Sequence, residues 1–207
     1  MYIPPSFAET DLNKLHDFIE QHSFATLVSQ GDANLVATHL PLLLEREAGS
    51  QGRLIGHMAR ANPHWQQAEG QNVLTIFNGP HAYISPSWYK VKNVVPTWNY
   101  VTVHVYGRLQ LTEDRSELMN IVQRYVEFYE AGMPQPWDLD SAEPNFIDGL
   151  LDAIVGFTIE IDRIEGKWKL NQNHDRQRRE DVTQALKGTG SEEKQAIANL
   201  MEASKNE

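Results

Sequence analysis

The chain has no cysteine among its 207 residues. Disulfides, thiolate catalysis and zinc or iron–sulfur sites built on Cys are therefore excluded. A chain without disulfides suits a reducing cytoplasm, which is the expected location. Positive charge is also scarce. There are 18 Lys and Arg against 28 Asp and Glu, a net charge of −10. A broad nucleic-acid surface draws its affinity from clustered Lys and Arg, so none is expected here. No apolar run is long enough to span a bilayer, and no membrane partner is expected. The opening MYIPPSF lacks the basic and apolar regions of a secretory signal. There is no G-x-G-x-x-G, no Walker loop, no H-E-x-x-H and no G-x-S-x-G. Dinucleotide, P-loop, zinc-protease and serine-hydrolase chemistry thus go unsignalled, and no catalytic residue is assigned.

What is present is globular: 41% hydrophobic and 22% charged residues. The apolar spacing predicts a helix over 11–22, with Leu12, Leu15, Phe18 and Ile19 on one face and Thr10 as its cap. Strands are predicted over 24–29, 34–45, 53–58, 73–77, 99–111 and 154–164. Pro41 interrupts the second. The fourth resumes at 81–85 after a Gly79-Pro80 break, and Gly166 marks a turn after the sixth. Further helices are expected over 113–130, 145–153, 176–186 and 192–203. Six strands with few, peripheral helices imply a mainly β fold, a small closed or partly closed antiparallel barrel. The expected organisation is a barrel domain with inserted helices over 1–170 and a C-terminal helical appendage over 171–207, packed on the same domain.

Several segments can carry chemistry. In GHMARANPHW, Asn62 and Pro63 suit a helix start directly after a strand, with Arg60 beside it. Free N–H groups and a guanidinium suit a phosphate; the alternative is an ordinary cap and a solvated Arg. In ATHLPLLL, Thr38 and His39 precede the proline break, where backbone groups leave the ladder and can meet the polar edge of a flat heterocycle; the alternative is an edge strand with an incidental His. Tyr83, Trp88, Tyr89, Trp98, Tyr100 and Trp168 make an aromatic set for core packing or for gripping a flat ligand. Five of the eight histidines lie between His39 and His104, but without metal-ligand spacing, and no metal site is assigned. KWKLNQNHDRQRR, with Lys167, Lys169, Arg176, Arg178 and Arg179, is the one basic segment; it reads as a phosphate or DNA contact or as a solvated helix face.

Together, MYIPPSF, THLPLLL, GHMARANPHW, IFNGPHAYISPSWY, VPTWNY followed by VHVYG, and EGKWKLNQN resemble the PaiB family of FMN-binding negative transcriptional regulators. The motifs run in order over most of the chain. The resemblance implies a six-stranded FMN-binding split barrel, a homodimer, FMN as cofactor and a link to gene repression. It places the flavin ring along Thr38, His39 and Leu40, and the phosphate at the segment holding His57, Ala59, Arg60 and Asn62. Trp98, Asn99 and Lys169, from the later motifs, complete the implied contacts. Repression can run through DNA or through a partner regulator, and the charge of −10 speaks against direct DNA contact. Two alternatives remain open: a flavin-dependent oxidoreductase of a small molecule, and a barrel that holds haem with His39 or His57 as axial ligand.

Overall fold

The computed structural model describes residues 1–89, 91–112 and 114–204. Among them, in chain order, lie β1 (Ala8–Glu9), α1 (Leu12–Gln21), β2 (Phe24–Gln30), β3 (Leu35–Pro41), β4 (Leu43–Glu45), β5 (Arg53–Ala59) and α2 (His64–Ala68). β6 (Asn72–Ile84), β7 (Thr97–Thr112), α3 (Arg115–Glu130), α4 (Pro144–Leu151), β8 (Ile154–Lys169), α5 (Arg176–Lys187) and α6 (Glu192–Ala203) follow. The strand order is β3-β2-β6-β7-β8-β5-β4, with β1 on β8, and every register that is resolved is antiparallel. β3 and β4 stand at the ends of that order, so the sheet of the described residues is not closed. This is the mainly β class expected.

All six predicted strands are present, and the count rises to eight for two physical reasons. Pro41 has no N–H to give the ladder, so the segment over 34–45 splits at Leu42 into β3 and β4. β1 is two residues long, too short to show a period.

Three local expectations need correcting. Thr10 does not cap α1; Asp11 does, its Oδ1 accepting from the N–H groups of Asn13 at 2.9 Å and Lys14 at 3.2 Å. Gly79-Pro80 does not break the fourth strand, because β6 runs unbroken to Ile84. A Cβ at Gly79 would sit 2.8 Å from the Phe18 ring, so this glycine makes room rather than a turn. Gly166 likewise lies inside β8, where a Cβ would meet Leu15 Cδ2 at 2.3 Å and Trp168 Cζ3 at 2.8 Å. The predicted start of the 113–130 helix, Glu113, lies outside the described residues. The helix proper begins at Arg115, and the Asp114 carboxylate accepts from Ser116 and Glu117 N–H.

The chain divides into two compact units. One comprises Ile19–Ile76 and Val105–Ile164. β2 and β3 pair along their full length, from Phe24↔Pro41 to Gln30↔Leu35. β2 alternates buried and exposed residues, so Ala25, Leu27 and Ser29 face inward. Leu43, Ile55, Ile121 and Tyr125 form a buried cluster that seats α3. A Cβ at Gly107 would lie 2.1 Å from the Glu160 carbonyl oxygen, so only glycine fits there.

The other unit comprises Met1–Phe18, Phe77–His104 and Glu165–Glu207. Ala8↔Lys167 and Glu9↔Gly166 set the β1–β8 register. Phe18 meets Trp168 edge-on at 5.2 Å. α5 and α6 bury Val182, Leu186, Ile197, Ala198 and Met201.

Candidate functional site

β3 is an edge strand, so half of its backbone N–H and C=O groups face away from β2. Thr38, on this strand, is tied to the turn after β5 by a polar network. Thr38 Oγ1 lies 2.7 Å from His64 Nδ1, and Asn62 Nδ2 donates to the same oxygen at 3.1 Å. Asn62 Oδ1 accepts from His64 N–H at 3.1 Å, and His64 Nε2 lies 2.9 Å from Ser29 Oγ. The N-cap of α2 is Pro63, not Asn62; the Asn62 amide instead ties the turn before the helix to His64 N–H and to Thr38 on β3. His64 is 0% exposed and touches hydroxyls rather than carboxylates. Burial lowers its pKa, so the ring is neutral at pH 7.

His39 is exposed, with Nδ1 3.0 Å from Thr26 Oγ1, and it stacks on Phe24. Leu40 is buried. The groups freed at the Pro41 break do not wait for a ligand. Tyr125 Oη donates toward the Pro41 carbonyl at 2.7 Å and the Ile55 carbonyl at 3.1 Å, and Leu42 N–H donates to Ser23 O at 2.9 Å. Burial raises the Tyr125 pKa, which keeps it a donor. His57 lies edge-on to the Tyr125 ring at 4.9 Å. Its pKa is lowered by burial, and its buried Nδ1 has no hydrogen-bond partner among the described residues. Ala59 is exposed at the end of β5.

Arg60 is exposed and rigidly held. Its Nε donates to Asp152 O at 2.8 Å and one Nη to Ile154 O at 2.9 Å. Its own carbonyl accepts from Trp65 Nε1 at 3.0 Å. No carboxylate neutralises it among the described residues. A fixed guanidinium with free N–H groups and no counter-ion fits a phosphate; an open strand edge beside it fits the hydrogen-bonding rim of an isoalloxazine. The donor set of this unit therefore fits FMN.

The three remaining expected contacts belong to the other unit. Trp98 is 52% exposed and clusters with His81 at 5.7 Å and Tyr83 at 6.0 Å. Asn99 is buried; its Nδ2 meets Met201 Sδ at 3.5 Å and its Oδ1 has no partner among the described residues. Lys169 Nζ donates to Thr97 Oγ1 and the Trp98 carbonyl. His64, Ser29 and Tyr125 are absent from the sequence-derived set. His64 stands two residues after Asn62, a visible clue, but nothing in sequence links it to Ser29 or β3.

The fold is that of the flavin-binding split barrels. A flavocytochrome from Azotobacter vinelandii matches with a TM-score of 0.55 at 15% identity, covering 78% of this chain and 69% of that one. An FAD and haem binding protein from Mycobacterium smegmatis matches with a TM-score of 0.55 at 14% identity, covering 86% of this chain and 79% of that one. The model of the family described as "Putative FMN-binding domain" matches residues 1–163. The protease synthase and sporulation protein PAI 2 of Bacillus subtilis (strain 168) is 36% identical over 203 residues, which cover 98% of this chain and 97% of that protein. The chain belongs to this FMN-binding family, the PaiB family, and FMN is its cofactor.

Proposed function

We propose that the protein is an FMN-binding negative regulator of PaiB type, cytoplasmic and homodimeric, that represses indirectly rather than by gripping DNA. FMN lies along β3 at Thr38, His39 and Leu40, with its phosphate at Arg60 and the turn that Asn62 anchors. His57 and Ala59 border that turn from β5. The observation that carries this reading is the Arg60 guanidinium, clamped by two backbone carbonyls and left without a counter-ion. The Thr38–Asn62–His64 network supports it by fixing β3 relative to the turn. Bound FMN supplies one- and two-electron redox chemistry; the chain's part is to hold and orient it. Trp98, Asn99 and Lys169, the contacts that the resemblance adds, lie in the other unit.

The indirect role is supported by the fate of the basic segment. Arg176 pairs with Glu180 at 2.7 Å, Arg178 with Asp175 at 3.2 Å, and Arg179 donates to Ser204. These cations are engaged within the chain, in a protein of net charge −10. A nanomolar, sequence-selective DNA shift at physiological salt would refute the indirect role. Homodimerisation is supported by Phe24 and Leu35, which stand 67% and 71% exposed at the β2–β3 end of the sheet.

The deciding experiment compares FMN with riboflavin. Arg60→Ala should weaken FMN at least tenfold and riboflavin little, since a charge-assisted bond contributes about 1.5–3 kcal/mol. Equal loss of both ligands would remove Arg60 from the phosphate site. Turnover of NADH or NADPH by the flavoprotein would favour the oxidoreductase instead.

A further inference from the structure

The unit built from 1–18, 77–104 and 165–207 has a cleft of its own, about 380 Å³ in volume. That is within the range of small-molecule pockets, roughly 300–1,000 Å³. Among the described residues its walls carry Lys169 and Arg178 but no Asp or Glu, in a chain where acids outnumber bases 28 to 18. Lys169 is half-buried and has no carboxylate partner among the described residues. Two of its three N–H groups go to Thr97 Oγ1 and the Trp98 carbonyl, which leaves one donor and the whole charge. Arg178 is offset by Asp175 at 3.2 Å. His174, against the Tyr89 ring at 5.4 Å, is held neutral by burial and by Arg178. Of the two cations that line the cleft, Lys169 is therefore the one left uncompensated, and the Lys167 ammonium lies near enough to act on it.

Its geometry is also strained in a telling way. Asn93 and Asn171 have φ of 62° and 63°, and they are the two non-glycine residues with positive φ among those described. Both line this cleft. Such outliers persist where surrounding structure holds them, and they gather at ligand sites. Asn171 is 2% exposed and donates its Nδ2 to Tyr89 Oη at 3.1 Å. Tyr89 Oη thus accepts there and keeps its own hydrogen to donate. Phe7, Val95 and Pro96 supply an apolar wall.

We propose that this cleft binds a small organic monocarboxylate, its carboxylate bonded to Lys169 and to the Tyr89 hydroxyl and its apolar body laid against Phe7, Val95 and Pro96. One net positive charge matches a monoanion and leaves a phosphate dianion half unpaired. None of the residues lining this cleft belongs to β3 or to the turn after β5, so it stands or falls independently of the flavin seat proposed there.

The test is calorimetric titration of the purified, FMN-saturated protein with benzoate, benzamide and inorganic phosphate. Benzoate should bind saturably, one per chain, and at least tenfold tighter than neutral benzamide, the worth of a charge-assisted bond. Lys169→Met should abolish that preference. Because Lys169 also holds Thr97 and Trp98, Asn173→Asp serves as a second variant; it adds a negative charge at the cleft wall and should weaken benzoate but not benzamide. Benzoate should also raise the His174 pKa seen by proton NMR, since a bound anion favours the imidazolium. Absent benzoate binding, equal affinity for benzamide, tighter binding of phosphate, or competition between benzoate and FMN would each overturn the proposal. The bound flavin is read separately from its visible absorbance, so failure of the FMN seat is not confused with failure of this one.

Discussion

Thr38→Val tests how the edge strand is held. Valine keeps the shape and the β-propensity of threonine but lacks the hydroxyl. In the native protein that hydroxyl meets His64 Nδ1 at 2.7 Å and accepts from Asn62 Nδ2 at 3.1 Å. His64 is 0% exposed, so no water replaces the lost partner. Leaving its Nδ1 unsatisfied costs about 1–3 kcal/mol, and the Asn62 bond adds about 0.5–1.5 kcal/mol. The sum is on the order of 2–4 kcal/mol, which in a domain of this size lowers Tm by roughly 5–15 °C. Urea unfolding followed by tryptophan fluorescence reads the loss, and Thr38→Ser should recover most of it. FMN affinity should fall in the valine variant, because β3 would no longer be pinned to the turn that carries Arg60. A loss under about 0.5 kcal/mol would mean the network contributes nothing net, within the usual range of surface substitutions. Full loss of stability with unchanged FMN affinity would remove β3 from the ring's seat.

Three further outcomes are expected. Gly107→Ala should fail to accumulate as folded protein, because its Cβ would press to 2.1 Å on the backbone carbonyl of Glu160, which cannot move aside like a side-chain end; a soluble variant with native circular dichroism would refute the close approach. Acid should destabilise the protein below about pH 6.5: burial holds His22, His57 and His64 below their ordinary 6.5, so the unfolded chain takes up protons first and stability, complete above that pH, drains away as pH falls. Buried His64 alone contributes a slope of up to about 1.4 kcal/mol per pH unit, and His64→Gln should remove it from denaturant midpoints measured on both sides of pH 6.5. Sedimentation at micromolar concentration should show a dimer, and Phe24→Ser with Leu35→Ser should shift it toward monomer; a wild type that is monomeric throughout would refute the homodimer.

The strands were readable because a two-residue period with β-branched residues survives in a bare string of letters. β7 shows it clearly: Val101, Val103, Val105 and Leu109 are all buried, as the alternation required. The proline break at 41 was readable for the same reason, since a missing N–H is a property of the residue itself. Glycine was the weak signal. Gly79 and Gly166 read as turns, but each stands inside a strand because another part of the chain passes within van der Waals reach. Nothing local distinguishes a glycine that bends the chain from one that yields space to Phe18 or Leu15.

The candidate site divides along the same line. Residue type left Arg60 and Asn62 open between a phosphate turn and an ordinary cap, and Thr38 and His39 between a ligand edge and an ordinary edge strand, whereas the ordered motifs carried the family and its FMN. Only tertiary structure decided that Asn62 reaches across to Thr38, that His64 joins them to Ser29, and that Tyr125 takes the carbonyl freed at Pro41. Only it placed Lys169 in a cleft with no counter-ion among the described residues. Hydrogen bonds between groups far apart in sequence depend on where the folded backbone sets them. Composition and period are local, whereas pairing and burial are properties of the packed chain.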